Sequence, residues 1–113
     1  MSSASRTVVF CSFEFEAFHQ WVAAPDLVAF LRSPHRHMFH VRAEMAVQHN
    51  DRDIEFITLR GELVRAVKAK LVDAKAVVGT WSCEQWAQWM VDTFALNRVE
   101  VSEDGENGAV VTR

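Results

Sequence analysis

Residues 35 to 47 read HRHMFHVRAEMAV. From His37 the apolar side chains Phe39, Val41, Ala43, Met45 and Val47 recur at every second position, while Met38, His40, Arg42, Glu44 and Gln48 fall between or just beyond them. A period of two belongs to an extended strand, and one apolar face implies a sheet covered on one side only. Pro34 bounds the strand in front. It drives Ser33 out of the helical region, so a helical turn or two over Asp26–Arg32, following Pro25, has to end there.

Upstream, residues 7 to 19, TVVFCSFEFEAFH, repeat the pattern: from Val9 the positions Cys11, Phe13, Phe15 and Ala17 make one apolar face, with His19 in phase. Downstream, Asn50 to Asp53 carry turn chemistry and Ile54 to Ile57 read as a short second arm, so the first half predicts antiparallel hairpins. Thr58 is placed to cap a helix to about Val72, with Leu59, Leu63, Ala66, Val67 and Leu71 on one stripe. Ser82 with Gln85 three residues on is a capping box that opens a second helix to about Leu96, burying Trp86, Trp89, Met90 and Phe94. Arg98 to Glu103 and Ala109 to Thr112 close a hairpin around DGENG. The expected order is ββααββ, a single α+β domain over residues 1–113 with two helices on one face of a four-stranded antiparallel sheet.

With 113 residues, half of them hydrophobic, the chain can bury a core of its own. A net charge of −3 with interspersed signs leaves no basic stripe, which argues against a nucleic-acid partner. No stretch approaches the roughly 20 apolar residues of a membrane span, and the N-terminus lacks a signal-peptide pattern. Cys11 and Cys83 have no metal-like spacing and read as free thiols in a reducing cytoplasm.

In a strand, His35 and His37 point the same way, about 6 to 7 Å apart, and can share one zinc ion if the backbone bends slightly. A third ligand is then needed, and His19 supplies it if the two strands lie side by side. Spacing alone also fits a solvated or capping pair. His40 and His49 read as surface residues.

Five stretches in order resemble the 6-pyruvoyl-tetrahydropterin synthase and 6-carboxytetrahydropterin synthase family, the latter serving queuosine biosynthesis. FEAFHQW (15–21) is similar to the family's Phe-x-Ala-Ala-His-Arg-Leu, and PHRHMFHVRAEM (34–45) to its Leu-His-Gly-His-Asn-Tyr and following strand. DIEFITLRGELVRAV (53–67) resembles Met-Val-x-Asp-Phe-x-x-Leu-Lys, WSCEQWAQWM (81–90) resembles Pro-Thr-x-Glu-Asn-Leu-Ala-x-Trp-Ile, and VEVSEDGENGAVV (99–111) resembles Val-x-Val-x-Glu-Thr-x-x-x-Gly-x-x-Tyr. The resemblance implies a tunnelling fold whose subunits close a barrel as a homo-oligomer, trimer or hexamer. It implies lyase chemistry on dihydroneopterin triphosphate or a related pterin, with zinc on His19, His35 and His37. It also implies that Glu103 anchors the pterin's N–H edge, a task suited to two acceptor oxygens. Ser82, Cys83 and Glu84 fall beside the same pocket, although capping and dipole compensation account for Ser82 and Glu84 equally well.

The resemblance departs at the proton carriers. Leu31 stands at the usual cysteine, four residues before His35, and Val72-Asp73-Ala74 matches a Leu-Asp-His dyad with alanine at the histidine. Asp73 remains, and Cys83, at a helix start where the dipole lowers a thiol pKa, is a candidate substitute. The alternative to a synthase is a homologue that binds a pterin or purine-like ligand without turnover.

Overall fold

The computed structural model of the chain describes residues 5–73 and 79–113. Strand β1 (Val8–His19) is followed by a 3₁₀ segment (Asp26–Arg32), strand β2 (His35–Ala46), helices α1 (Phe56–Asp73) and α2 (Cys83–Phe94), and strands β3 (Arg98–Glu103) and β4 (Asn107–Thr112). The fold is α+β. Its strands form one antiparallel sheet in the order β1-β2-β3-β4, with β1 and β2 paired along their whole length from Val8 opposite Ala46 to His19 opposite His35.

The alternation assigns the faces. Cys11, Phe13 and Phe15 of β1, Phe39, Val41 and Ala43 of β2, and Val99 and Val101 of β3 share one buried cluster with Leu59, Leu63 and Val67 of α1 and Trp86, Ala87, Met90 and Val91 of α2. The helical members recur at three and four residues, so each helix turns one stripe to the sheet. Each fully buried large side chain, such as Phe39 or Leu63, stabilises by about 1.5–3 kcal/mol. The opposite sheet face mixes ion pairs such as Arg36–Glu16 and Arg98–Glu44 with the exposed apolar side chains Val8, Phe10, Phe18 and Val110.

Residues 54–57 do not form the expected short strand. Phe56 and Ile57 begin α1 and are 53% and 73% exposed, so their apolar character is not spent on a sheet face. Thr58 is not the cap either. The Glu55 carboxylate accepts from the Ile57 and Thr58 backbone N–H groups at 2.7 and 2.9 Å, filling the role usually taken by a shorter side chain. Those bonds, with the Thr58 hydroxyl, hold the Glu55 carboxyl below its ordinary pKa.

At the start of α2 the Ser82–Gln85 capping box is present in both directions. The helix ends at Phe94, short of Leu96, because Ala95 turns left-handed (φ 53°) and its N–H closes on the Val91 carbonyl. Leu96 then folds back fully buried. The 3₁₀ segment buries no side chain, and Leu27 and Phe30 stand 93% and 73% exposed. It is tied at its base, where the Trp21 N–H donates to the Leu31 carbonyl and the Arg32 guanidinium to the Ala24 carbonyl, both at 2.7 Å.

Candidate metal centre

Strand pairing brings the three histidines together. His19, the last residue of β1, lies directly opposite His35, the first of β2, and His37 follows two positions later on the same face. Ring centroids are 4.4 Å apart for His19 and His35, 5.1 Å for His19 and His37, and 4.9 Å for His35 and His37. Phe39 continues the face beneath them, its ring 5.4 Å from that of His19.

Each ring has one nitrogen engaged. Nδ1 of His19 lies 3.2 Å from the Trp81 carbonyl, Nδ1 of His35 lies 2.8 Å from the Ser33 carbonyl, and Nδ1 of His37 lies 2.6 Å from the Asp104 carboxylate. All three partners are oxygens that only accept, so each Nδ1 is the donor, and in the neutral ring Nε2 is the nitrogen with the lone pair. The three Nε2 atoms are buried without a hydrogen-bond partner. Ligand atoms of the three rings all lie within 4.8 Å of one another. Burial lowers the His19 pKa, outweighing the opposing Trp81 carbonyl and Glu103 charge, and so favours its neutral, ligating form.

The supports come from different parts of the chain. The Gly79 N–H donates to the Phe18 carbonyl at 2.9 Å and the Gln20 N–H to the Gly79 carbonyl at 3.1 Å, which docks the segment leading into α2 against the end of β1. This short bridge carries the Trp81 carbonyl to His19. On the other side, the β3–β4 turn starts with Asp104 and Gly105 at φ 56° and 75°, the left-handed pair of a type I′ turn. In that conformation Asp104 exchanges backbone and side-chain bonds with the start of β2: its N–H donates to the Met38 carbonyl at 2.7 Å, and its carboxylate accepts from the Met38 N–H at 3.0 Å. The bonds from His37 and Met38 hold the Asp104 carboxyl below its ordinary pKa.

Glu103, paired with Phe39 across the β2–β3 ladder, aims its carboxylate at the cluster, 3.0 Å from His37 Nε2 and 3.7 Å from His19 Nε2. The closer approach lacks hydrogen-bond alignment, so proximity alone does not satisfy that nitrogen.

Beside the histidines lies a cavity of about 560 Å³ whose walls include Leu31, Trp81, Ser82, Glu84 and Glu103. Its volume is that of a pocket for a small organic molecule. The residues expected to bind substrate therefore share one cavity with His19 and His35. Ser82 Oγ accepts from the Gln85 N–H, which leaves its hydroxyl proton free to donate.

Cys83 also lines the cavity, but its thiol is pushed up to about 12, first by burial and then by the charges of Glu103 and Glu84. The expected lowering by the helix dipole is outweighed, and the group stays a thiol near neutrality. Leu31 reaches the cavity and carries no proton. The Asp73 side chain and Ala74 lie outside the described residues. A depression of about 580 Å³ between Glu14, His40, Arg42 and Arg60 lies on the outer sheet face; among the described residues His40 there pairs only with Glu14, at 3.3 Å, and no second imidazole lines it.

Asp104 and the Ser33 and Trp81 carbonyls were not apparent in the sequence. The Asp-Gly pair was a visible turn signal, yet which strand the turn would touch is a long-range fact. Compared with models of known protein families the chain matches none, and no curated protein matches it. Among the described residues no helix is long and apolar enough to cross a membrane.

Proposed function

We propose that the chain is a zinc-dependent protein of the 6-pyruvoyl-tetrahydropterin or 6-carboxytetrahydropterin synthase type, acting on dihydroneopterin triphosphate or a related pterin in the cytoplasm. The observation that carries this reading is the convergence of three buried, unpartnered Nε2 atoms beside a cavity lined by His19, His35 and Glu103. Three imidazoles are a donor set suited to zinc with a further position left over. When bound, zinc supplies a Lewis acid that polarises a carbonyl or hydroxyl oxygen.

The chain's own side chains bind and orient. Glu103 offers two acceptor oxygens to an amidine-like ring edge, the Ser82 hydroxyl donates, and Trp81 gives the ring an apolar wall. The two buried free thiols suit a reducing compartment. An open sheet bounded by β1 and β4 supports the barrel-forming trimer or hexamer of the tunnelling fold, since free strand edges invite pairing between copies.

A second reading, capture of the pterin without turnover, is favoured by one observation. The cavity offers Leu31 where the family has cysteine, and its one thiol is held neutral. The two readings separate on incubating untagged, zinc-loaded protein with dihydroneopterin triphosphate. Release of triphosphate identifies the synthase, and a ligand-dependent rise in Tm without release identifies the binder. Protein that neither retains zinc nor responds to the pterin overturns both.

A further inference from the structure

We infer that Lys70 is a positioning residue of the candidate site. Its ammonium, lodged over two indole rings, clamps the segment that enters α2 and so holds one wall of the cavity.

Lys70 stands in the last turn of α1. Its Nζ lies 4.7 Å from the ring centroid of Trp81 and 5.7 Å from that of Trp89. Both distances fall within the roughly 6 Å over which an aromatic face attracts a cation, and tryptophan is the strongest aromatic partner. The two rings are themselves fixed. Trp81 and Trp89 meet Trp86 with centroids 4.9 and 5.8 Å away, and the buried Trp86 sits edge-on against Phe15 of the core at 4.9 Å. One cation therefore ties the end of α1 to a group of aromatic rings rooted in the sheet.

Trp81 makes this tie matter to the site. Its carbonyl is the partner of His19 Nδ1 at 3.2 Å, and Trp81 lines the cavity together with its neighbours Thr80 and Ser82. The backbone on either side is held by other means, since Gly79 bridges to the end of β1 and Ser82 caps α2. Between those anchors Trp81 is held by its side chain, and Lys70 is the charged group upon it. The helix dipole offers Lys70 a second role, because a cation in the last turn also faces the unpaired carbonyls of a helix C-terminus. The two roles differ in the amides they protect.

Amide hydrogen exchange of the whole chain tests the clamp without zinc or a pterin. Lys70→Met keeps an unbranched stem and removes the charge. Exchange of the Gly79 and Gln20 amides, which form the bridge to β1, should rise at least roughly 10-fold in this variant, with the sheet amides of Val41 and Val101 as in wild type. Lys70→Arg, whose guanidinium also stacks on indole, should restore the protection. Trp89→Phe, which weakens the second cation contact, should loosen the same two amides to a smaller degree and covers a Met variant that fails to fold. Faster exchange confined to Ala69–Leu71 would assign Lys70 to the helix dipole and overturn the clamp. Gly79 and Gln20 amides that are indifferent to the charge, or that Lys70→Arg fails to restore, would overturn it as well.

Discussion

The Asp104 carboxylate lies 2.6 Å from His37 Nδ1, at the end of a turn that places Asp104 at φ 56°. A non-glycine residue in the left-handed region is held there by its surroundings, and the carboxylate so placed orients an imidazole that faces the His19 and His35 rings. Asp104→Gly separates the two effects, because glycine adopts this φ freely while losing the carboxylate. The variant should fold, and its zinc affinity should fall roughly 10- to 100-fold in chelator competition. An unchanged affinity would reduce Asp104 to a turn residue.

The Cys83 thiol gives a pH dependence with a definite sign. Its folded-state pKa is raised from 9.0 to about 12, so the folded protein holds this proton more tightly than the unfolded chain. Stability associated with the group is therefore fully present below pH 9.0 and is lost as pH rises toward 12. Denaturant titrations between pH 8 and 11 should show a shallower alkaline decline for Cys83→Ala than for wild type. The absence of tyrosine from the sequence removes one competing titration. Equal slopes in the two proteins would contradict the burial of this thiol between Glu103 and Glu84.

Phe39 joins the core to the candidate site. It is fully buried, stacks on Phe15 with centroids 5.1 Å apart, and meets His19 and His37 edge-on. Phe39→Ala should cost about 3–5 kcal/mol by denaturant unfolding and also weaken zinc binding, since the floor under two imidazoles is gone. Leu63→Ala, buried on α1 away from the histidines, should cost about 2–5 kcal/mol and spare the metal. Metal loss equal in both variants would point to general unfolding instead.

Gly108 shows where backbone closeness matters. A Cβ there would collide with the Val101 carbonyl oxygen and lie 2.6 Å from Ser102 Cα, both on the neighbouring strand. Gly108→Ala should therefore distort the β3–β4 pair that presents Glu103, lowering Tm and ligand response together. A variant with wild-type melting would show that the two strands can separate at no cost.

The local signals in this chain were readable in advance. The alternation over 35–47 fixes the buried face of β2 because period and pleat are the same geometry. Ser82 and Gln85 declare a cap because a capping box needs only residues three apart. Around Ile54 and Ile57 the same logic misleads: β-prone side chains sit at a helix start whose cap is a glutamate, and nothing in a short apolar run tells the two cases apart. Ala95 gives no warning of its left-handed stop, since glycine is the usual signal.

For the candidate centre, the three imidazoles were legible as a pair plus a partner in phase. Their Nδ1 acceptors were not. The Trp81 carbonyl reaches His19 through the Gly79 bridge, and Asp104 reaches His37 across 67 positions of sequence. Such contacts depend on how elements dock, which no residue spacing encodes.

The segment from Gln20 to Pro34 leaves the sheet at one imidazole and re-enters it at another, while the ladder on either side holds those two rings in register. Its length and content can change at modest entropic cost without moving its anchors. Leu31 and Trp21, which it contributes to the cavity wall, are thus open to replacement while the three-histidine floor stays as it is. Under the proposed function, the choice of guest molecule and the histidine cluster are carried on separable pieces of chain, so a new preference can be acquired by exchanging one excursion.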